Sequence, residues 1–243
     1  MIYFLSDLHL GATYIADPRA HERRVVDFLR SIRHDAEHIY LLGDILDYWY
    51  EYKNVVPRGY VRFFGELAAL SDAGIKITWL TGNHDIWLFD YLKNELGIEI
   101  IDSPFIEKVI NGKRFVLAHG DRIGYRKLSF KFICRLFRNR LCQKLYASVH
   151  PRWTVSIAHK WSSSSRGGNG DSMSLEQFER FIIDNAKSLD TQADYIVMGH
   201  YHVLLNRKIE NTNTSVIVLG DWIDNNSYGC YDGKNFILKK HTV

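Results

Sequence analysis

Cysteine is scarce in this 243-residue chain, with three in all (Cys134, Cys142 and Cys230) and no CxxC pair. That excludes a disulfide framework and a cysteine-built zinc site, and leaves three reduced, packed thiols. Four prolines and 17 glycines are too few for a collagen-like or low-complexity chain. No apolar run approaches the roughly 20 residues that cross a bilayer. The first residues enter a strand-like stretch with no basic segment before it, so the expected location is the cytoplasm. Acidic residues are missing from one region: 122–160 holds ten Lys or Arg and no Asp or Glu. What is present, 46% hydrophobic and 24% charged residues, suits a globular protein with one sizeable core.

The net charge of +3 therefore hides an asymmetry, because outside the basic segment 21 Lys and Arg face 28 Asp and Glu. Within it, Lys127, Lys131, Arg135 and Arg138 recur at helical spacing beside Phe130, Ile133 and Phe137, which predicts a basic amphipathic helix with a solvated cationic stripe. The first 120 residues alternate short apolar runs (2–6, 38–42, 75–80, 114–118) with amphipathic ones (18–33, 57–73). This order predicts α/β architecture: parallel strands with helices on the faces of the sheet. After a Ser- and Gly-rich loop at 162–170, a helix is expected over 174–189. Strands are expected at 195–198, 204–209, 216–219, 228–231 and 236–239, joined by hairpin-like turns. No repeat and no clean two-domain split is visible. The chain reads as a single domain, 1–243, with 122–170 inserted as a helical cap.

Five clusters fall where a predicted strand ends: Asp7-Leu8-His9, Gly43-Asp44-Ile45-Leu46-Asp47, Gly82-Asn83-His84-Asp85, His119-Gly120-Asp121 and Gly199-His200-Tyr201-His202. Carboxyl ends of strands are where α/β sheets carry their chemistry. Asp, His and Asn are nitrogen and oxygen donors for divalent metals. In extended backbone Asp7 and His9 would share one side, as would His200 and His202. Taken singly each cluster is unremarkable; their joint occurrence in this order points to a metal site.

In that order the clusters resemble the calcineurin-like metallophosphoesterase signature D-x-H, G-D-x-x-D, G-N-H-[DE], H, G-H-x-H, which the chain meets in full. The resemblance implies a four-layer αββα sandwich bearing two metals. Asp7, His9 and His202 would serve one, Asn83, His119 and His200 the other, and Asp44 would bridge them. It also implies that His84 sits over the substrate phosphate, as acid or as charge stabiliser. Asp47 would hold its ring, while Asp85 and Asp121 would fix loops. Asn83, His84 and His200 would face the substrate.

The placement of the basic insert, the run Ile157-Ala158-His159-Lys160-Trp161-Ser162-Ser163-Ser164-Ser165-Arg166, and Leu219-Gly220-Asp221-Trp222 together resemble the UDP-2,3-diacylglucosamine pyrophosphohydrolase family of lipid A synthesis. That resemblance implies a nucleotide-lipid substrate split to UMP and 2,3-diacylglucosamine 1-phosphate. It further implies manganese, with iron, zinc and cobalt as alternatives, and Lys160, Ser162 and Arg166 on the head group. His84 stands where well-known members carry Arg. Such an acid would serve a poor alkoxide leaving group more than a phosphate, whose pKa is about 6. A generic phosphodiesterase or phosphatase and a nuclease therefore stay open, as does a non-catalytic binding scaffold on the same fold. The Leu, Ile and Phe at helical spacing favour acyl chains over stacked bases, which argues against nucleic acid. The basic amphipathic helix suits peripheral contact with the anionic cytoplasmic face of the inner membrane. No feature points to a protein partner.

Overall fold

The computed structural model describes residues 1–124, 128–151, 153, 174–189 and 192–242, and of 128–131 only the course of the backbone. One sheet runs in the order β11-β10-β1-β2-β3-β4. Its strands are β1 (Ile2–Leu5), β2 (His38–Leu42), β3 (Lys76–Leu80), β4 (Glu99–Ile101), β10 (Ser227–Tyr231) and β11 (Phe236–Lys240). The first four are parallel, while β10 and β11 add antiparallel. The second sheet is ordered β5-β6-β7-β9-β8. It comprises β5 (Ile106–Ile110), β6 (Lys113–Ala118), β7 (Tyr195–Met198), β8 (Leu204–Lys208) and β9 (Ser215–Leu219). There β6, β7 and β9 are parallel, flanked by antiparallel edges.

Strand alternation divides the core into three seams. Tyr3, Leu5, Ile39, Leu41, Ile77 and Trp79 face α1 (Pro18–Ile32), α2 (Val61–Asp72) and α3 (Tyr91–Leu96). Their neighbours Phe4, Tyr40 and Leu80 turn the other way, against Phe115, Leu117, Val197 and Ile217 of the second sheet. On that sheet's outer face Val116, Ile196, Met198 and Val218 meet Ile182 and Ala186 of α6 (Leu175–Lys187). The molecule is thus the αββα sandwich. Helices cover the outer face of each sheet, as that architecture requires. Because β1, β2 and β3 step in one direction, right-handed crossovers place α1 and α2 on the same face. The opposite face is left to the second sheet.

The helix expected from 57 begins at Val61, after Tyr60 adopts a left-handed φ of 60°. Glu22 of α1 supplies the cap, its Oε1 accepting from the amides of Arg62 and Phe63 at 3.0 and 3.1 Å. In the basic segment α4 (Leu128–Arg138) and α5 (Arg140–Ala147) form as expected. The cationic stripe is only partly upheld. Arg135 is solvated, Arg138 turns inward onto Asp102, Lys127 lies outside the described residues, and the side chain of Lys131 is not described.

Candidate metal centre

All five clusters lie just past the carboxyl ends of β1, β2, β3, β6 and β7, and the two sheets bring those ends together. Backbone bonds stitch the loops: Asp7 N to Gly43 O, His9 N to Asp44 O, and Gly199 N to His119 O, each 2.9–3.1 Å. Close approach is what the glycines permit. A Cβ on Gly199 would collide with Ser6 Oγ and Asp7 Oδ2, and one on Gly82 with Asp44. Asp85 ties the same loops from beneath, accepting from the Ile45 amide, the Gly82 amide and the Trp79 indole at 2.9, 2.6 and 3.1 Å.

Asp7, His9 and His202 converge in one group, and Asp44, His119 and His200 in a second. Asp44 also reaches His9 and His84. The route to this convergence differs from the extended geometry expected. Asp7, His9, Asp44, His200 and His202 all have φ between 44° and 70°. The tight left-handed turns send His200 and His202 to different groups, where alternation in a strand would have pointed them the same way.

Each side chain is held by one atom and presents another. Asp7 Oδ2 accepts from the Ser6 hydroxyl (2.6 Å) and the His200 amide (2.8 Å). Its Oδ1 faces His202 Nε2 at 3.3 Å and His9 Nε2 at 3.7 Å. Asp44 Oδ1 accepts from the His84 amide (2.9 Å), while Oδ2 lies 3.3 Å from His119 Nε2 and 3.8 Å from His9 Nε2. His119 Nδ1 donates to the Leu42 carbonyl (2.9 Å), which turns Nε2 inward, 3.2 Å from Asn83 Oδ1. Such outer partners set the tautomer of a ligating histidine.

Two features of this arrangement fit divalent cations. Asp7 Oδ1 and His9 Nε2 are buried with no hydrogen-bond partner, a costly state unless something positive sits between them. The local field asks for the same thing. Burial pushes the His9 and His119 rings down, yet nearby carboxylates override it: Asp47, Asp7 and Asp44 carry His9 up to about 9, and Asp44 chiefly carries His119 up to about 10. Burial likewise opposes ionisation of Asp44, but His119 and His84 hold its carboxyl well below the usual range.

Asp47 meets His84 through both side chain and main chain, and meets His9 as well: its carboxylate lies 3.2 Å from His9 Nδ1 and 3.6 Å from His84 Nδ1, and its main-chain carbonyl accepts from His84 Nδ1 at 3.1 Å. Asp221 has no assigned role in the sequence reading, yet it stands 3.5 Å from His202 Nδ1. Three backbone amides, those of Ile223, Asp224 and Asn225, anchor it. The signal was there, since Gly220-Asp221-Trp222 follows β9 as the other clusters follow their strands. Lys160, Ser162 and Arg166 lie outside the described residues.

The family profile described as Calcineurin-like phosphoesterase matches residues 1–204. A protein of Porphyromonas gingivalis named UDP-2,3-diacylglucosamine hydrolase is 43% identical over 98% of this chain and 96% of its own length. Its namesake from Serratia proteamaculans is 27% identical over 90% of both chains. Among solved structures, an archaeal phosphodiesterase aligns over 98% of both chains with a TM-score of 0.47 and 15% identity.

Proposed function

The chain belongs to the calcineurin-like phosphoesterase family, and from that premise we propose that it hydrolyses the pyrophosphate bond of UDP-2,3-diacylglucosamine, releasing UMP and 2,3-diacylglucosamine 1-phosphate. The observation that carries the phosphoesterase chemistry is the pair of Asp/His groups sharing Asp44, with Asp7 Oδ1 and His9 Nε2 buried and unbonded. The near full-length likeness to the Porphyromonas hydrolase supports the substrate.

Asp7, His9 and His202 would hold one divalent cation, Asn83, His119 and His200 a second, and Asp44 would contact both. Manganese is the proposed metal. Two such cations supply positive charge to clamp a phosphoryl group and lower the pKa of an attacking water. The protein's own part is positioning. Asp44 is pinned through Oδ1 by the His84 amide, so Oδ2 alone faces the centre. His84 donates Nδ1–H to the Asp47 carbonyl, and Nε2, 3.9 Å from Asp44 Oδ2, would, in the imidazolium form, donate to the charge that develops on the departing phosphate. Asn83 is a neutral donor, which keeps the net charge of the site positive enough to stabilise that phosphate.

The 122–170 segment is proposed as the cap that receives the acyl chains, with Lys160, Ser162 and Arg166 on the head group. Phe132, Leu136, Leu141, Leu145 and Trp153 are exposed beside the exposed cations Arg135, Arg140 and Lys144. This composition supports peripheral contact with the anionic cytoplasmic leaflet of the inner membrane.

The test is UMP release from UDP-2,3-diacylglucosamine in detergent micelles, with manganese or with a chelator, beside an Asp44→Ala variant. Manganese-dependent release that falls about 10²- to 10³-fold or more in the variant, the scale of losing a central electrostatic stabiliser, is the expected result. Turnover confined to an artificial phosphodiester would retain the two-metal reaction and overturn the lipid substrate.

A further inference from the structure

Arg122 and Arg138 are cations of the basic segment that the fold turns inward. Their side chains are only 16% and 17% exposed. Arg122 comes three residues after His119, and Arg138 closes α4. Between them stands Asp102, just past β4. Its Oδ1 lies 2.9 Å from Arg122 Nη2, 3.1 Å from Arg138 Nε and 3.0 Å from the Thr81 hydroxyl. Arg138 Nη2 continues to the Gly82 carbonyl at 3.4 Å, and Gly82 immediately precedes Asn83. Asp121 approaches Arg122 Nε no closer than 3.9 Å.

One carboxylate cannot satisfy two guanidinium forks. Arg122 shows the deficit: its Nε and Nη2 are buried, and among the described residues neither makes a hydrogen bond of acceptable geometry despite the short ion-pair distance. Burial, and after it the charge of Arg138, lowers the pKa of Arg122, as befits two cations confined together. Two planar forks with spare donors, packed against the loops that carry Asn83 and His119, match a tetrahedral anion with several oxygens.

We propose that Arg122 and Arg138 form a phosphate-recognition pair beside the Asn83 and His119 side of the centre, taking the second phosphoryl group of a pyrophosphate diester while the first is attacked. This rests on the phosphoesterase reading above and adds to it the basis for preferring pyrophosphates over single phosphoesters. Asp102 is a positioning residue, holding both guanidiniums at the rim. A structural latch between α4 and the sandwich would use the same ion pairs, and the experiment must separate the two.

Manganese-loaded wild type, Arg122→Gln, Arg138→Gln and Asp102→Asn proteins are assayed on UDP-2,3-diacylglucosamine and on bis(p-nitrophenyl) phosphate, which has one phosphorus. UDP-glucose serves as a competitor of the artificial diester. The expected result for each arginine variant is a kcat/KM on the pyrophosphate at least tenfold lower and a UDP-glucose inhibition constant raised about as much, with diester hydrolysis within twofold of wild type. Parallel losses on both substrates, or unchanged competition by UDP-glucose, would overturn the proposal and leave a latch. If wild type spares the lipid but UDP-glucose competes in an arginine-dependent way, the lipid substrate fails and the phosphate pair stands.

Discussion

At the scale of single residues, the cost of the centre is written in the backbone. Asp7, His9, Asp44, His200 and His202 all occupy the left-handed region, at roughly 1–2 kcal/mol each for non-glycine residues. Aspartate and histidine are among the side chains that tolerate it best, so the types demanded by metal chemistry are also the types the turns accept. Far from the centre a different histidine contributes to acid sensitivity. His38 Nε2 donates to Thr78 Oγ1 (2.8 Å), whose hydroxyl donates onward to Glu99 (2.8 Å). Burial, then Lys108 and Lys76, pushes the His38 pKa from 6.5 down to about 4. The folded protein therefore binds this proton less readily than the unfolded chain does. The contribution of His38 is intact above pH 6.5, declines as pH falls toward 4, and is flat below that. Urea midpoints measured between pH 7.5 and 4 should fall less steeply for His38→Gln than for wild type; identical slopes would remove His38 from the acid response.

At the scale of elements, α2 illustrates how a helix boundary can be set from outside. Its first amides are satisfied by Glu22 of α1 rather than by a local cap. Glu22→Ala should cost about 1–2 kcal/mol, the value of a lost N-cap, and lower the thermal midpoint by roughly 2–8 °C for a chain of this size. Glu22→Gln keeps an acceptor oxygen and should retain most of that. Equal losses in both variants would point to charge rather than capping. The same contact explains why 57 was the wrong start: no pattern within 57–73 encodes a carboxylate from α1. Strongly periodic elements and the five strand-end clusters were legible because burial and metal chemistry restrict residue type at fixed spacing. The three-residue β4 and six-residue α3 were not, being too short to show a period. β5 alternates with Glu107 and Lys108 inside it and sits at an edge, so it carries no buried run to recognise. The inward turn of Arg138 was equally hidden, since its partner Asp102 is 36 positions away.

At the scale of the whole molecule, the loops that build the centre also hold the α4 and α5 segment in place. Tyr48 and Tyr50 come one and three residues after Asp47, and Trp87 comes two residues after Asp85. The Tyr50 hydroxyl donates to the Gln143 carbonyl (2.6 Å), the Trp87 indole donates to the Phe137 carbonyl (2.9 Å), and the Tyr48 and Tyr146 hydroxyls meet at 3.1 Å. The Trp87 ring also lies 4.7 Å from that of Tyr146 in a tilted contact and 5.8 Å from that of Phe137, edge to face. Since these contacts belong to the segment's docking and not to the β-sandwich core, truncating Trp87 should release the segment without unfolding the sheets. A loss of about 2 kcal/mol of docking, below the range for a fully buried tryptophan, raises the undocked population by roughly thirtyfold. Limited proteolysis reads that population when opening is fast relative to cleavage. Trp87→Ala should then be cut within 122–170 some ten- to thirtyfold faster than wild type, while the 1–121 portion stays resistant. Cleavage spread evenly over the chain would instead mean that Trp87 supports the sandwich itself, and the docking role assigned to the aromatic residues would fall.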